Sequence, residues 1–355
     1  MRYWSLEPLD PSRLSAHAAD AWHRTILNAQ DEAQPSDPHP SLRQTIDSLT
    51  QTPAFVQMRH VVTWDSSRAE IIGRASAAVW DIGSNEHIAM NRVWVDPRVR
   101  RQGLGLALVG RTAEACRHWG RRLVVMDTSN RVSSGEAFAL KLGGTSCLDT
   151  RINEVVISEI SEELITDWLV RRAEVDLRYR IGWWDRAYPA ADLDRVGRMK
   201  DLVNDAPHGE LDFEPIRHTP EMLRELDQRL AARGVERWTL FAECREDGEI
   251  AGYTETSWHP DRPALLYQED TAVAPSHRNR GLGRILKAEM LARVLRERPT
   301  VTRVRTGNAT QNGPMLRINQ ELGFREAYRV TAWQFEVSRI LEITAEADPS
   351  SEFQQ

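Results

Sequence analysis

Two short stretches carry residue types and spacings suited to gripping an anion. Residues 93–105 read VWVDPRVRRQGLG and residues 271–283 read TAVAPSHRNRGLG. Aligned without a gap, Val95 meets Val273, Pro97 meets Pro275, Arg100 meets Arg278, Gly103 meets Gly281 and Gly105 meets Gly283, at a constant offset (278 − 100 = 178). Each copy opens on an apolar, β-branched run that suits a buried strand. A proline then ends the sheet ladder, because it has no N–H to donate. Arg-x-x-Gly-x-Gly follows, and after it apolar residues at helical spacing: Leu104, Leu106, Leu108 and Val109 in one copy, Leu282, Ile285, Leu286 and Met290 in the other. Strand, glycine turn and helix together aim unpaired main-chain N–H groups and a helix dipole at a negative charge. One copy alone is compatible with nothing more than a tight turn. Two in register favour a duplicated phosphate cradle.

The elements around the two stretches repeat in the same order. The spacing predicts a short strand over 2–6, a helix over 11–27, a polar, proline-rich loop over 28–41 and a short helix over 42–50. Strands over 55–64, 70–80 and 86–95 precede the first glycine turn, and a helix over 103–119, a strand over 123–127, a helix over 134–142 and a strand near 152–158 follow it. A connecting helix over 161–173 leads into the second round: strand 179–184, helices 190–205 and 219–232, and strands 238–244, 250–258 and 265–273. After the second glycine turn come a helix over 282–296, a strand over 301–306 and a helix that opens at Asn312-Gly313-Pro314. Leu142-Gly143-Gly144 and Leu322-Gly323-Phe324 mark equivalent points near the end of each round (322 − 142 = 180).

Neither glycine turn is a Walker loop, which needs Gly-Lys-Ser/Thr, and neither has the third glycine of the dinucleotide fingerprint. Both resemble the acyl-CoA pyrophosphate loop of the GNAT acyltransferase superfamily, Gln/Arg-x-x-Gly-x-Gly/Ala. With the Leu-Gly-(Phe) landmarks the resemblance spans nearly the whole chain. It implies an α/β (α+β) architecture of two tandem GNAT folds, each a mixed, centrally splayed β-sheet flanked by helices. The expected layout is an N-terminal domain over 1–160, a connecting helix over 161–175, a C-terminal domain over 176–346 and a disordered tail over 347–355. Asn204-Asp205-Ala206-Pro207, Gly252-Tyr253-Thr254-Glu255 and Thr306-Gly307-Asn308-Ala309 add likeness to bacterial two-domain members of the mycothiol-synthase type.

The resemblance further implies transfer of an acyl group, acetyl first, from acyl-CoA to a primary amine of a small molecule or peptide. Acetyl-CoA contacts are assigned to Val273, Arg278, Asn279, Arg280, Gly281, Leu282 and Gly283, with Asn308 and Asn312 lining the cleft, Asn312 being equally suited to cap a helix. The N-terminal equivalents are Val95, Arg100, Arg101, Gln102, Gly103, Leu104 and Gly105. An alkylammonium with a pKa near ~10 must lose a proton before it can attack, so a carboxylate is required nearby. Asp270 is preferred, then Glu255, then Glu269; strand alternation allows only one of Glu269 and Asp270 to face the cleft. A structural or cation-binding role for these acids is the alternative. The family's thiolate-protonating tyrosine falls at Asn319 in the second half and Ala139 in the first, with Tyr267 and Tyr328 as possible substitutes. The first half offers no acid near its loop, so catalysis is expected in the second. A catalytically inert CoA-binding scaffold is the competing reading.

Composition fits this reading. Hydrophobic residues make up 41% of the chain, charged residues 28%, and the net charge of −6 disfavours a general nucleic-acid partner. Neither a membrane-length apolar run nor a signal-peptide core is found, and the three cysteines are scattered, so neither a disulfide scaffold nor a metal site is expected. The expectation is a cytoplasmic enzyme, monomeric or homodimeric.

Overall fold

The computed structural model describes residues 4–347 of the chain. In chain order the first half comprises β1 (Glu7–Leu9), α1 (Ala16–Ala33), α2 (Leu42–Thr50), β2 (Val56–Trp64), β3 (Ile71–Trp80), β4 (Ile88–Val95), α3 (Leu104–His118), β5 (Leu123–Ser129), α4 (Ser133–Lys141) and β6 (Thr145–Val156). There follow α5 (Glu162–Val170), α6 (Arg172–Asp176), β7 (Tyr179–Asp185), α7 (Leu193–Asp201), α8 (Pro220–Ala232), β8 (Glu236–Cys244), β9 (Ile250–Trp258) and β10 (Leu265–Val273). The chain closes with α9 (Leu282–Glu297), β11 (Arg303–Ala309), α10 (Gly313–Glu321), β12 (Arg325–Glu336) and α11 (Val337–Glu346).

Most predicted elements stand where the pattern put them, and the departures have local causes. The first strand is Glu7–Leu9, fixed by antiparallel register against Val62, Val61 and His60, whereas the expectation over 2–6 reaches partly beyond the described residues. Helix α1 starts after Ser15, whose side chain accepts from Ala18 N–H, and runs through Ala33 instead of stopping at residue 27. Residues 28–33 (NAQDEA) contain no breaker and several good helix formers, so only 34–41, with three prolines, forms the loop. The connecting helix is split into α5 and α6, and the helix expected over 190–205 is α7 flanked by 3₁₀ turns at Ala190–Asp192 and Leu202–Asp205.

Two compact units result, and their limits differ from a division at 160 and 176. The first holds residues 1–149, 210–214 and 329–355; the second holds 150–209 and 215–328. The first unit's sheet runs β1-β2-β3-β4-β5-β12, with β12 antiparallel to β5 from Val330↔Ser129 to Glu336↔Leu123. The second runs β6-β11-β10-β9-β8-β7, with β6 antiparallel to β11 from Val156↔Arg303 to Thr150↔Ala309. Each sheet is thus closed by the strand that the sequence repeat assigns to the other half. Both closing strands follow equivalent Leu-Gly-x corners, so their patterns do not distinguish which sheet they join. The proposed tail beyond Ala347 lies outside the described residues. In the first core Leu106, Val109 and Ala113 of α3 meet Val124, Trp333 and Phe335; in the second Leu286, Met290 and Val294 of α9 meet Leu240, Val304 and Phe324.

Candidate active site

In the second unit β10 and β11 pair in parallel only at Leu265↔Arg303, Leu266↔Val304 and Tyr267↔Arg305. Beyond that point β10 continues to Val273 and β11 to Ala309 without pairing to each other. A cavity of about 890 Å³ opens between them, walled by Gln268–Val273, 306–309, the glycine turn and the start of α9 and α10. The first unit splays in the same way: β4 and β5 pair only at Ile88↔Leu123, Ala89↔Val124 and Met90↔Val125.

The two glycine turns have the same backbone. A 3₁₀ turn (Pro97–Val99, Pro275–His277) precedes Arg100 at φ −64°, ψ 163° and Arg278 at −65°, 163°. Next but one before each glycine stands a non-glycine residue in the left-handed region, Arg101 at φ 62° and Asn279 at 61°. Gly103 (φ 89°) and Gly281 (φ 79°) then turn the chain into α3 and α9, a conformation that strains any side chain. Neither helix start is capped by a side chain, so its first-turn amides are open to an anion. The arginines do something else. Arg278 Nε donates to Val273 O at 2.9 Å and Arg100 Nε to Val95 O at 3.0 Å, bracing each turn against its strand. Their outer nitrogens bind carboxylates: Arg278 to Asp205 at 2.7 Å, Arg100 to Glu32 at 2.6 and 2.5 Å and also to Ser134. Asn279, Gly281, Leu282 and Gly283 line the cavity, whereas Arg280 is exposed.

The carboxylates depend on a bulge. Gln268 pairs with Thr256 but Thr271 with Thr254, so β10 carries one extra residue over this interval. Strict alternation fails there, and Glu269 and Asp270 both line the cavity, contrary to the expectation that only one would. Asp270 is an ion-pair partner of Lys200, at 2.8 Å, and lies 3.5 Å from the Tyr253 hydroxyl. Glu269 accepts a short hydrogen bond from Ser257 and has no cation within ion-pair reach among the described residues. Its carboxyl, although open to the cavity, is crowded by protein; that desolvation raises its pKa, the Ser257 bond opposes the rise, and the Asp270 and Glu255 charges add to it. Glu255 is buried and committed to a network: Lys200 Nζ at 2.6 Å, Thr239 Oγ1 at 2.6 Å and the Tyr188 hydroxyl. Burial alone would raise its carboxyl, but Lys200 and Arg237 outweigh burial and hold it at about 2.

At the tyrosine position Asn319 is buried, and its Nδ2 donates to Asn308 Oδ1 at 2.6 Å. Asn312 lines the cavity and also caps α10 through Met315 N–H. Tyr267 and Tyr328 flank the Arg305 guanidinium at 5.9 and 5.7 Å, and neither lines the cavity. Two lysines escaped the sequence reading. Lys200, on α7, is 14% exposed and joins Glu255 to Asp270; no motif marks it. Lys287, on α9, is 2% exposed, lines the cavity and has no side-chain ion pair or hydrogen bond among the described residues, its Nζ standing 6.0 Å from the Phe324 ring centroid. Burial pushes its ammonium down to about 7. A signal existed for Lys287: the repeat sets it against Val109, a charged residue on an otherwise apolar helix face.

A splayed mixed sheet with an uncapped helix behind a glycine turn at the splay defines an acetyltransferase-type fold. The sequence matches the Acetyltransferase (GNAT) family over residues 23–143 and again over 203–324, and the chain belongs to that family, in tandem form. No curated protein sequence matches it. Similar solved structures include a tandem GNAT protein from the clavulanic acid biosynthesis pathway, with 22% identity, a TM-score of 0.74 and coverage of 94% of this chain and 99% of that one. A GCN5-related N-acetyltransferase from Sphaerobacter thermophilus follows at 15% identity and a TM-score of 0.65, covering 94% and 96%. A glucosamine N-acetyltransferase region of a fungal multi-domain GH3 beta-N-acetylglucosaminidase matches at 12% and 0.64, covering 94% of this chain and 38% of that one. No helix among the described residues is long and apolar enough to cross a membrane.

Proposed function

We propose that the chain is an acyl-CoA-dependent N-acyltransferase that moves an acetyl group to a primary amine of a small molecule or peptide, with catalysis in the second unit. The observation that carries this reading is the β10 bulge, which sets an unpaired, desolvated carboxylate, Glu269, in the same cavity as an uncapped glycine turn. The turn amides after Gly281 would take the pyrophosphate of acetyl-CoA, and the unpaired edges of β10 and β11 would take the pantetheine amides. The bound thioester supplies an activated acyl carbon.

Glu269 accepts the proton of the incoming ammonium, a task its raised pKa suits better than that of Glu255, which is too acidic and already paired. Asp270, held by Lys200, orients the acceptor's cationic end. Lys287 donates a proton to the departing sulfur; an acid near 7 delivers to a thiolate of pKa about 8.5 downhill. The first unit keeps the loop, but β4 pairs with β3 without any register shift, from Gly73↔Val95 to Ala78↔Met90, and carries no acid past its last pair with β5, where the nearby acid, Asp127, belongs to β5 instead. Asn319 in place of a tyrosine favours the inert-scaffold alternative. Thiol release from acetyl-CoA with a panel of primary amines decides between them: coenzyme A binding without release for any amine would support the scaffold.

A further inference from the structure

The first unit has a cluster of unpartnered polar groups on the strands that lead into its glycine turn. On one face of the sheet β2, β3 and β4 bring together His60, Arg74, Arg92 and Trp94: the register sets His60 and Arg92 opposite Ser76, and Trp94 opposite Arg74. Helix α1 covers this face with Trp22, whose ring stands edge-on to His60 at 5.5 Å. The Arg74 guanidinium lies within cation–π reach of two indoles, 5.1 Å from the Trp22 ring centroid and 5.9 Å from that of Trp94. No carboxylate answers it: neither Arg74 nor Arg92 has an ion pair or side-chain hydrogen bond among the described residues.

Among the described residues three buried nitrogens around this point also have no hydrogen-bond partner: Arg74 Nε, Trp94 Nε1 and His60 Nδ1. Trp94 is 8% and His60 6% exposed. Burial, and the Arg92 charge with it, depress Arg74 to about 10, while burial and Arg74 keep His60 neutral, at about 4. Asp127 on β5 senses Arg92 but makes no ion pair with it, and its own burial raises it towards the neutral acid. Two cations, two idle donors and an imidazole nitrogen without a partner are costly in a partly dry site unless an anion completes them.

We propose that Arg74, Trp94 and His60, with Arg92 at the exposed rim, form a binding site for a small organic carboxylate in the first unit. The guanidinium, flanked by indole rings and without an ion pair, keeps N–H donors for a planar carboxylate, and the nearby indole N–H offers a further donor. Arg92, exposed and two residues along β4, suits the second carboxylate of a dicarboxylic acid. The assignment stands apart from which unit transfers the acyl group.

The test is calorimetry and thermal melting of the full chain with succinate, acetate and inorganic phosphate at constant ionic strength. Succinate should bind and raise the melting temperature of the wild type. R74M, which puts an apolar chain of similar length beside the indoles, should bind succinate at least tenfold more weakly, the factor expected for losing a charged hydrogen bond. W94F keeps the packing and should lose severalfold. If R74M does not fold, the W94F comparison and the tryptophan emission of the wild type on titration still decide. Silence of the wild type toward both carboxylates, equal response in R74M, or tighter binding of phosphate than of succinate would each overturn the assignment.

Discussion

Glu269 and Asp270 are chain neighbours that both face the cavity of the second unit, because the extra residue of the β10 bulge falls between Gln268 and Thr271. Their surroundings separate them: Asp270 is paired with Lys200, while the Glu269 carboxylate accepts from the Ser257 hydroxyl. E269Q should therefore lower kcat with acetyl-CoA by about 10²–10³ while leaving coenzyme A affinity unchanged. A carboxyl with a raised pKa stays protonated above the usual carboxylate range, so wild-type kcat/KM should fall as the pH drops toward that raised value. D270N should keep this acidic limb and E269Q lose it. The opposite pattern would make Asp270 the base.

The two glycine turns share their backbone, so identical lesions should separate their roles. Gly281→Glu places a strained, negative side chain at the phosphate end of the catalytic cavity. Turnover should fall at least 10²-fold. Gly103→Glu should leave turnover within a few-fold, and calorimetric stoichiometry will tell whether the first loop also takes coenzyme A. Loss of turnover in G103E with activity retained in G281E would move catalysis to the first unit.

Glu255 and Lys200 form a buried pair, and neutralising Glu255 leaves the buried ammonium answered by the more exposed Asp270. E255Q should cost about 3 kcal/mol at pH 7. The carboxyl is held at about 2, below its unfolded value, so the wild-type advantage is fully present above the unfolded pKa of about 4.3. It disappears as the pH falls toward 2. Urea unfolding of both proteins at pH 7, 4 and 2.5 should show the gap closing, and a constant gap would mean that the charge is not its source.

Lys287 has the opposite linkage. Its folded pKa near 7 lies below the unfolded value of about 10.4, so between these limits the unfolded chain holds more protons and wild-type stability rises with pH. K287M should be the more stable protein at pH 6, by about 2–5 kcal/mol, with the difference vanishing near pH 10. If Lys287 serves the sulfur, the thiol of bound coenzyme A should also ionise at a lower pH in the wild type than in K287M, as read by thiolate absorbance. Equal ionisation in both would remove the lysine from the proton path without touching the acyl-transfer reading itself.

Much of the fold was legible because its markers are local. A left-handed Gly103 or Gly281, the proline that stops a strand and the Leu-Gly corner are each fixed by a few consecutive residues, and two copies in register gave the tandem architecture. The helices α2, α3, α8 and α9 were equally plain from spacing and caps.

What contiguous residues do not encode was decided by the tertiary structure. Alternation assigns Glu269 and Asp270 to opposite faces, and only pairing with β9 inserts the bulge that turns both inward. The closing strands β6 and β12 carry interchangeable patterns, so which sheet each joins depends on long-range pairing alone. Lys200 gains its role from Glu255 and Asp270, far away in the chain, and Arg74 becomes an unanswered charge only once Trp22 and Trp94 close around it. The sequence by itself determined the family, the duplication and the place of the loops, since these rest on backbone rules acting over a few residues. The identity of the charged groups that share a cavity is a property of packing between distant segments, and the folded chain alone supplies it.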